Sequence, residues 1–220
     1  MRTFSLSEVG TAGFHQSQIQ ASYAFGKKTD AALGYIYTAV PGNTNGSGRI
    51  FTRFSYTAGI GKRLSWTNGV QAELHDNQQN NYKYRLIYIT RLASKKRTGF
   101  LKLSPSVSYW LFYNIGGAPV QYYDGKTGKK LVKQTPDGLH RGRLQLSVNS
   151  KITGNLSVTI YAMFQREFNW LTPEYRKINF RRPTDGKYIR PFSQFNTAGL
   201  TFTYNIKLYK KNHHAKKQPI

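Results

Sequence analysis

The last stretch of the chain, Phe195 to Tyr209 (FNTAGLTFTYNIKLY), leaves little freedom about fold class. Ala198, Leu200, Phe202, Tyr204, Ile206 and Leu208 share one parity, while Thr197, Gly199, Thr201, Thr203, Asn205 and Lys207 share the other. Successive side chains of a strand point to opposite faces, so this is one apolar face and one polar face. The run meets the roughly 9–11 residues that a tilted strand needs to cross a bilayer. It equally suits a half-buried strand of a soluble barrel.

The same pattern recurs upstream. Apolar and polar residues alternate through 14–25, 50–60, 64–74, 82–92, 100–113, 144–149 and 156–169, with blurred strands at 2–8 and 30–40. Pro105, inside one of these runs, predicts a bulge or an edge position, because proline cannot donate to a ladder. The connections alternate in length: 170–192, 114–138, 76–81 and 41–48 are long, and those centred on Gly154, Lys96, Lys62 and Lys27 are short. Long loops at one end and short turns at the other characterise membrane barrels. The expected fold is therefore all-β: an up-and-down antiparallel transmembrane β-barrel of about ten strands over residues 1–209, with a basic mobile tail over 210–220. Aromatics near strand ends suggest two interfacial girdles: Tyr82, Tyr84, Trp110, Phe112, Phe168, Trp170 and Phe195 toward the long loops, and Phe25, Phe100 and Tyr204 toward the short turns.

Two stretches carry resemblances. Gly199-Leu-Thr-Phe202-Thr-Tyr204 resembles the C-terminal assembly signal of bacterial outer-membrane barrels, although such chains end at an aromatic and this one runs on to Ile220. The segment His140 to Phe168 (HRGRLQLSVNSKITGNLSVTIYAMFQREF) resembles a hairpin of the DUF2490-type outer-membrane proteins of Bacteroidetes, with an Arg-started strand, a short turn and a strand ending in Tyr-x-x-x-Gln. That resemblance implies a Gram-negative outer-membrane location and a barrel fold, and no activity. The start, Met1-Arg-Thr-Phe-Ser-Leu-Ser-Glu8, has no apolar core of a signal peptide, so an exported protein is expected to be a mature or truncated chain here.

Charge narrows the partners. The 220 residues hold 33 Lys and Arg against 9 Asp and Glu, a formal net charge of +24. Such an excess favours anionic partners. Membrane lipid and lipopolysaccharide fit best, with other outer-membrane proteins as further candidates. Nucleic-acid binding asks for exposed aromatics among the cations, and here the aromatics sit on apolar strand faces; a soluble, basic nucleic-acid-binding β-protein is the alternative. The chain has no Cys, so neither disulfides nor thiol chemistry enter.

Catalytic and metal motifs are absent, and no cofactor is expected. His213 and His214 lie in the tail and form no spaced ligand set. One pair bears on chemistry. His15 and Ser17 share the face continued by Ile19, Ala21 and Tyr23, and this resembles the His-x-Ser pair of outer-membrane phospholipase and lipid A deacylase barrels. A lipid-modifying esterase would need a third group to orient the His; the position across the turn is near Thr38, without a carboxylate. Two polar residues at a strand end is the plainer reading. The polar strand faces hold the other candidates. Arg49, Arg53, Lys83, Arg85, Arg91, Lys102, Arg143 and Lys207, with Glu73 and Glu167, would line a lumen as an anion-binding site or a salt-bridged plug. Arg176, Arg181, Arg182 and Arg190 lie in the loop 170–192 and would form an outward interaction surface. The expected role is non-enzymatic: a structural or accessory subunit of an outer-membrane complex, or a narrow anion-biased pore.

Overall fold

The computed structural model describes residues 2–6, 12–39, 46–76, 82–117, 120–124, 127–134, 137–170, 178–179, 181, 185–188 and 192–206. They form β1 (Arg2–Leu6), β2 (Ala12–Ala24), β3 (Thr29–Ala39), β4 (Ser47–Ile60), β5 (Leu64–His75), β6 (Tyr84–Ser94), β7 (Leu103–Ile115), β8 (Val120–Tyr123), β9 (Lys130–Gln134), β10 (Gly138–Lys151), β11 (Leu156–Glu167) and β12 (Phe195–Tyr204). The all-β, antiparallel expectation holds. The hydrogen-bonded order β1-β12-β11-β10-β7-β6-β5-β4-β3-β2 closes on itself, and β8-β9 form a separate two-stranded sheet. Closure leaves no unpaired strand edge in the wall.

The alternation seen in the sequence sorts residues between the two sides of this wall, and the sorting is the reverse of a water-soluble domain. The apolar parity points out: Ile19 is 74% exposed and Ile160 62%, and Leu33, Ile50, Phe54, Val70, Leu86, Leu146 and Leu200 are all exposed. The polar parity points in. Glu73 is 4% exposed and Gln165 1%, and Ser55, Gln71, His75, Arg85, Ser108, Glu167 and Thr201 are likewise buried. Monomers in water seldom expose contiguous apolar patches beyond a few hundred Å²; here the exposed apolar residues continue around the described wall.

Connections 25–28, 61–63, 95–102 and 152–155 lie at one end, with 40–46, 76–83, 116–137 and 168–194 at the other. The chain leaves β12 at the first end, where Asn205 N donates to Asn155 O at 2.9 Å. The predicted asymmetry of length is carried by 116–137 and 168–194. The turn 95–102 spans as many residues as 76–83, because β7 begins at Leu103 rather than Phe100. Thr98 pairs with Leu103 across a tight turn that holds Gly99 at φ 68° and Lys102 at φ 50°.

Several expectations need correction. The stretch 114–138 is not a plain loop: it carries the β8–β9 hairpin. Of the two positions expected for Pro105, the bulge is not found and the edge position is: it pairs with Val148 on β10 and stands just beyond the last β6 pair, Ala93–Ser106. The bulge in that ladder falls between Leu139 and Arg141. Trp110 and Phe112 do not join an outer girdle. They share parity with Ser104 and Ser108 and turn inward, Phe112 being fully buried. The last strand ends at Tyr204, and residues 207–220, with Lys207, His213 and His214, lie outside the described residues.

Candidate functional site

Strand register sets the inward residues in tilted rows around the wall. One row reads Gly34, Phe51, Glu73, Arg85, Asn114; the next reads Ala32, Arg53, Gln71, Ile87, Phe112, Arg141, Glu167. A third places Trp110, Arg143 and Gln165 side by side. Apolar and ionic side chains therefore meet inside the barrel in its long-loop half.

Glu73 is the centre of one cluster. Its Oε2 accepts from Arg85 Nη2 at 2.5 Å and Nε at 2.9 Å, and lies 3.2 Å from His75 Nε2. Its Oε1 accepts from Gln71 Nε2 at 2.7 Å and lies 3.5 Å from Arg49 Nε. Both carboxylate oxygens are thus occupied by donors. Arg85 also donates from Nη1 to the Tyr82 hydroxyl at 2.8 Å, and the His75 and Tyr82 rings meet edge-on at 5.1 Å.

Glu167 is the centre of a second cluster. Its Oε1 accepts from Arg141 Nη2 at 2.6 Å and Nε at 3.1 Å, and its Oε2 accepts from the Ser193 backbone N at 2.6 Å. Gln165 Nε2 donates to Ser193 O at 3.0 Å, so the end of the last long connection is stitched to the wall. Phe112 joins the two clusters. The Arg85 guanidinium carbon lies 5.2 Å from the centroid of its ring and that of Arg143 4.7 Å, both in the range of a cation–π contact. Arg143 donates from Nε to Gln165 Oε1 at 2.7 Å.

Of the lumen candidates, Glu73, Arg85, Arg143 and Glu167 are brought into this connected network. Arg53 faces inward as the register partner of Gln71, with its guanidinium carbon 6.0 Å from the Phe51 ring centroid, and makes no ion pair among the described residues. Arg91 does not join. It lies six residues along β6 from Arg85, about 20 Å at strand rise, stays exposed, and donates to Ser106 Oγ at 3.1 Å. Arg49, another of the expected lumen residues, joins the network, whereas Lys83 and Lys102 are exposed in connections and do not; Gln71, His75, Arg141 and Gln165 belong to it without having been singled out as site residues. Their signal lies in the sequence as same-parity neighbours: Gln71-x-Glu73-x-His75 and Arg141-x-Arg143.

Guanidinium, amide and backbone donors occupy the oxygens of both carboxylates and fix them in place. Phe51, Ile87 and Phe112, all fully buried, fill the space between the charges.

His15 and Ser17 sit on the outward parity of β2. Ser17 Oγ lies 3.5 Å from His15 Nε2, the outer limit of a hydrogen bond. Their register partners are Ala39 and Tyr37 on β3 and Phe4 and Arg2 on β1, so no carboxylate faces the pair across either ladder. In the last long connection, Arg181 is exposed, donates to the Tyr188 hydroxyl at 2.7 Å and lies 4.5 Å over that ring. Arg176, Arg182 and Arg190 lie outside the described residues. Among the described residues no group of three or more His, Cys, Asp or Glu side chains is placed to hold a metal ion.

No protein-family model matches the chain, and no curated protein matches it.

Proposed function

We propose that this chain is an up-and-down barrel of about ten strands that spans a bacterial outer membrane and serves a non-enzymatic role, as a rigid structural or accessory subunit of a membrane complex. The observation that carries the reading is the inverted wall, with Ile19, Val70 and Ile160 exposed outside and Glu73, Arg85, Gln165 and Glu167 buried inside. In hydrocarbon every backbone polar group must be paired internally, and a closed barrel is one of two solutions. The braced interior favours a structural role over transport, since both of its buried glutamates are bound by arginines and its centre holds three buried apolar side chains. The likeness of His140–Phe168 to DUF2490-type proteins is part of the same proposal.

Heat-modifiable mobility after refolding into detergent or lipid tests this directly. A band that changes position only on boiling supports a closed membrane barrel. A chain soluble without detergent, with no such change, sinks the reading. A second reading, a narrow anion-biased pore, draws on Arg53, Arg91 and Arg143, which make no ion pair among the described residues. Planar-bilayer recording separates the two: anion-selective conductance steps favour the pore, and a silent bilayer favours the braced subunit.

A further inference from the structure

Charge is distributed unevenly between the two ends of the barrel. At the short-turn end stand Lys27, Lys28, Lys62, Arg63, Lys95, Lys96, Arg97, Lys102 and Lys151, all exposed. Among the described residues the one carboxylate near this end is Asp30, on the inward parity of β3. The other described carboxylates, Glu73, Asp76, Asp124, Asp137, Glu167 and Asp185, all belong to the long-loop half or its connections. Each ion pair among the described residues lies in that same half. At the short-turn rim the cations that make hydrogen bonds use neutral acceptors. Lys95 Nζ donates to Gly61 O at 3.0 Å, and Arg97 donates to Lys102 O at 2.9 Å and Asn149 Oδ1 at 2.8 Å. Their charge is therefore left uncompensated.

Apolar side chains are interleaved with these cations. Phe100, at the tip of the turn 95–102, is 92% exposed; Phe25, Leu101, Ile152 and Ile206, at the same end of the barrel, are exposed as well. Apolar tips among cations are what the boundary between headgroups and acyl chains accepts, because each side chain finds its own solvent there. Opposite turns carry cations, so the positive field covers the whole rim rather than one pocket.

We propose that the short-turn rim is an interaction surface for anionic phospholipid headgroups, with Phe25, Phe100 and Ile152 seated at the acyl boundary and the lysines and arginines on the phosphates. The proposal rests on the membrane reading above and adds a lipid class and an end of the barrel to it. Each cation held near an anionic surface raises binding by about five-fold, and the effect fades within a Debye length, about 8 Å at physiological ionic strength.

Trp66, exposed on the outer wall three residues into β5 from the turn 61–63, reports on this rim. Trp110 points inward, and Trp170→Phe removes the tryptophan of the opposite end. The full-length Trp170→Phe chain is reconstituted into phosphatidylcholine bilayers carrying equal fractions of brominated phosphatidylglycerol or brominated phosphatidylcholine. The expected result is stronger quenching of Trp66 by the anionic lipid, with the preference reduced at least five-fold by Lys27→Gln, Lys28→Gln, Lys62→Gln and Lys96→Gln together. Lys83→Gln, Lys129→Gln and Lys130→Gln, at the other end, should leave it intact. Equal quenching by the two lipids in a heat-modifiable barrel overturns the proposal and leaves the membrane reading standing. Equal loss in the two sets of variants overturns it as well, since the cations would then act without regard to position. No quenching by either lipid and no heat shift would remove the membrane reading itself, and salt-sensitive RNA binding through the same lysines would reassign the rim.

Discussion

Glu73 and Arg85 are register partners on neighbouring strands and meet inside the barrel through two hydrogen bonds of 2.5 and 2.9 Å to one carboxylate oxygen. Both side chains are shielded from water, and Arg49, Gln71 and His75 complete the shell of Glu73. Removing one member of such a pair strands the other charge. Glu73→Leu and Arg85→Leu should each destabilise the refolded barrel by about 3 kcal/mol or more. The double variant should cost much less than the two singles added, with a coupling of about 1 to 3 kcal/mol. Urea unfolding in detergent, followed by near-UV circular dichroism, measures all three. Strict additivity would mean that the pair does not couple.

Val70 and Ile160 test the opposite face. In a water-soluble barrel an exposed Val or Ile tolerates replacement by Arg within about 0.5 kcal/mol. On a wall facing hydrocarbon, Arg costs about 2 to 4 kcal/mol at the midplane and about 0 to 1 near an interface. Val70→Arg and Ile160→Arg should therefore be strongly destabilising in lipid, while Ile206→Arg, at the short-turn end, should be nearly neutral. A flat response across the three positions would contradict a membrane wall.

Parity was legible in the sequence because the side-chain period of a strand is two residues and needs no knowledge of neighbours. It placed Glu73, Arg85, Arg143 and Glu167 on one side and Ile160 and Leu200 on the other. Partnership was not legible. Which inward residue meets which depends on register, fixed by turn geometry and by the shift between Leu139 and Arg141. This is why Arg141 belongs to the network, beside Phe112 and Glu167; Arg91 is remote for a simpler reason, six residues of strand rise along β6 from Arg85. Trp110 and Phe112 were assigned to a girdle from their nearness to a strand end. Their parity with Ser104, Ser106 and Ser108 already pointed inward, and parity decides. The β8–β9 hairpin gave no signal, since strands as short as Val120–Tyr123 hold too few alternations to stand out from a loop.

Gly34 marks a close approach within the wall. A Cβ built there would lie 2.5 Å from the Ile19 carbonyl oxygen and 2.7 Å from the Phe51 ring. Phe51 is fully buried and packs over this glycine, an arrangement in which an aromatic covers the gap that a missing side chain leaves. The backbone contact cannot relax by a rotamer change. Gly34→Ala should cost about 1 to 3 kcal/mol, read as a lower urea midpoint with unchanged heat-modifiable mobility. Gly26→Ala, in a turn where no atom lies within 4 Å of the new Cβ, is the matched control and should be close to neutral.

The β8–β9 hairpin should be dispensable for the wall. Its strands pair with each other and with no strand of the barrel, Val120 with Gln134 and Gln121 with Lys133. Its base is closed separately: Gly117 N donates to Asp137 Oδ1 at 2.6 Å, and β7 and β10 pair directly from Asn114–Gly138 onward. Loop closure costs little more for a long loop than for a short one, since each doubling adds about 0.6 kcal/mol. Replacing residues 120–134 by a short Gly-Ser linker should therefore leave refolding yield and heat-modifiable mobility unchanged, with a change in stability below about 1 kcal/mol. If the shortened chain failed to refold, the hairpin would have to brace the mouth of the barrel, and the interior network of Glu73, Arg85, Phe112 and Arg143 would not be sufficient to hold the wall closed.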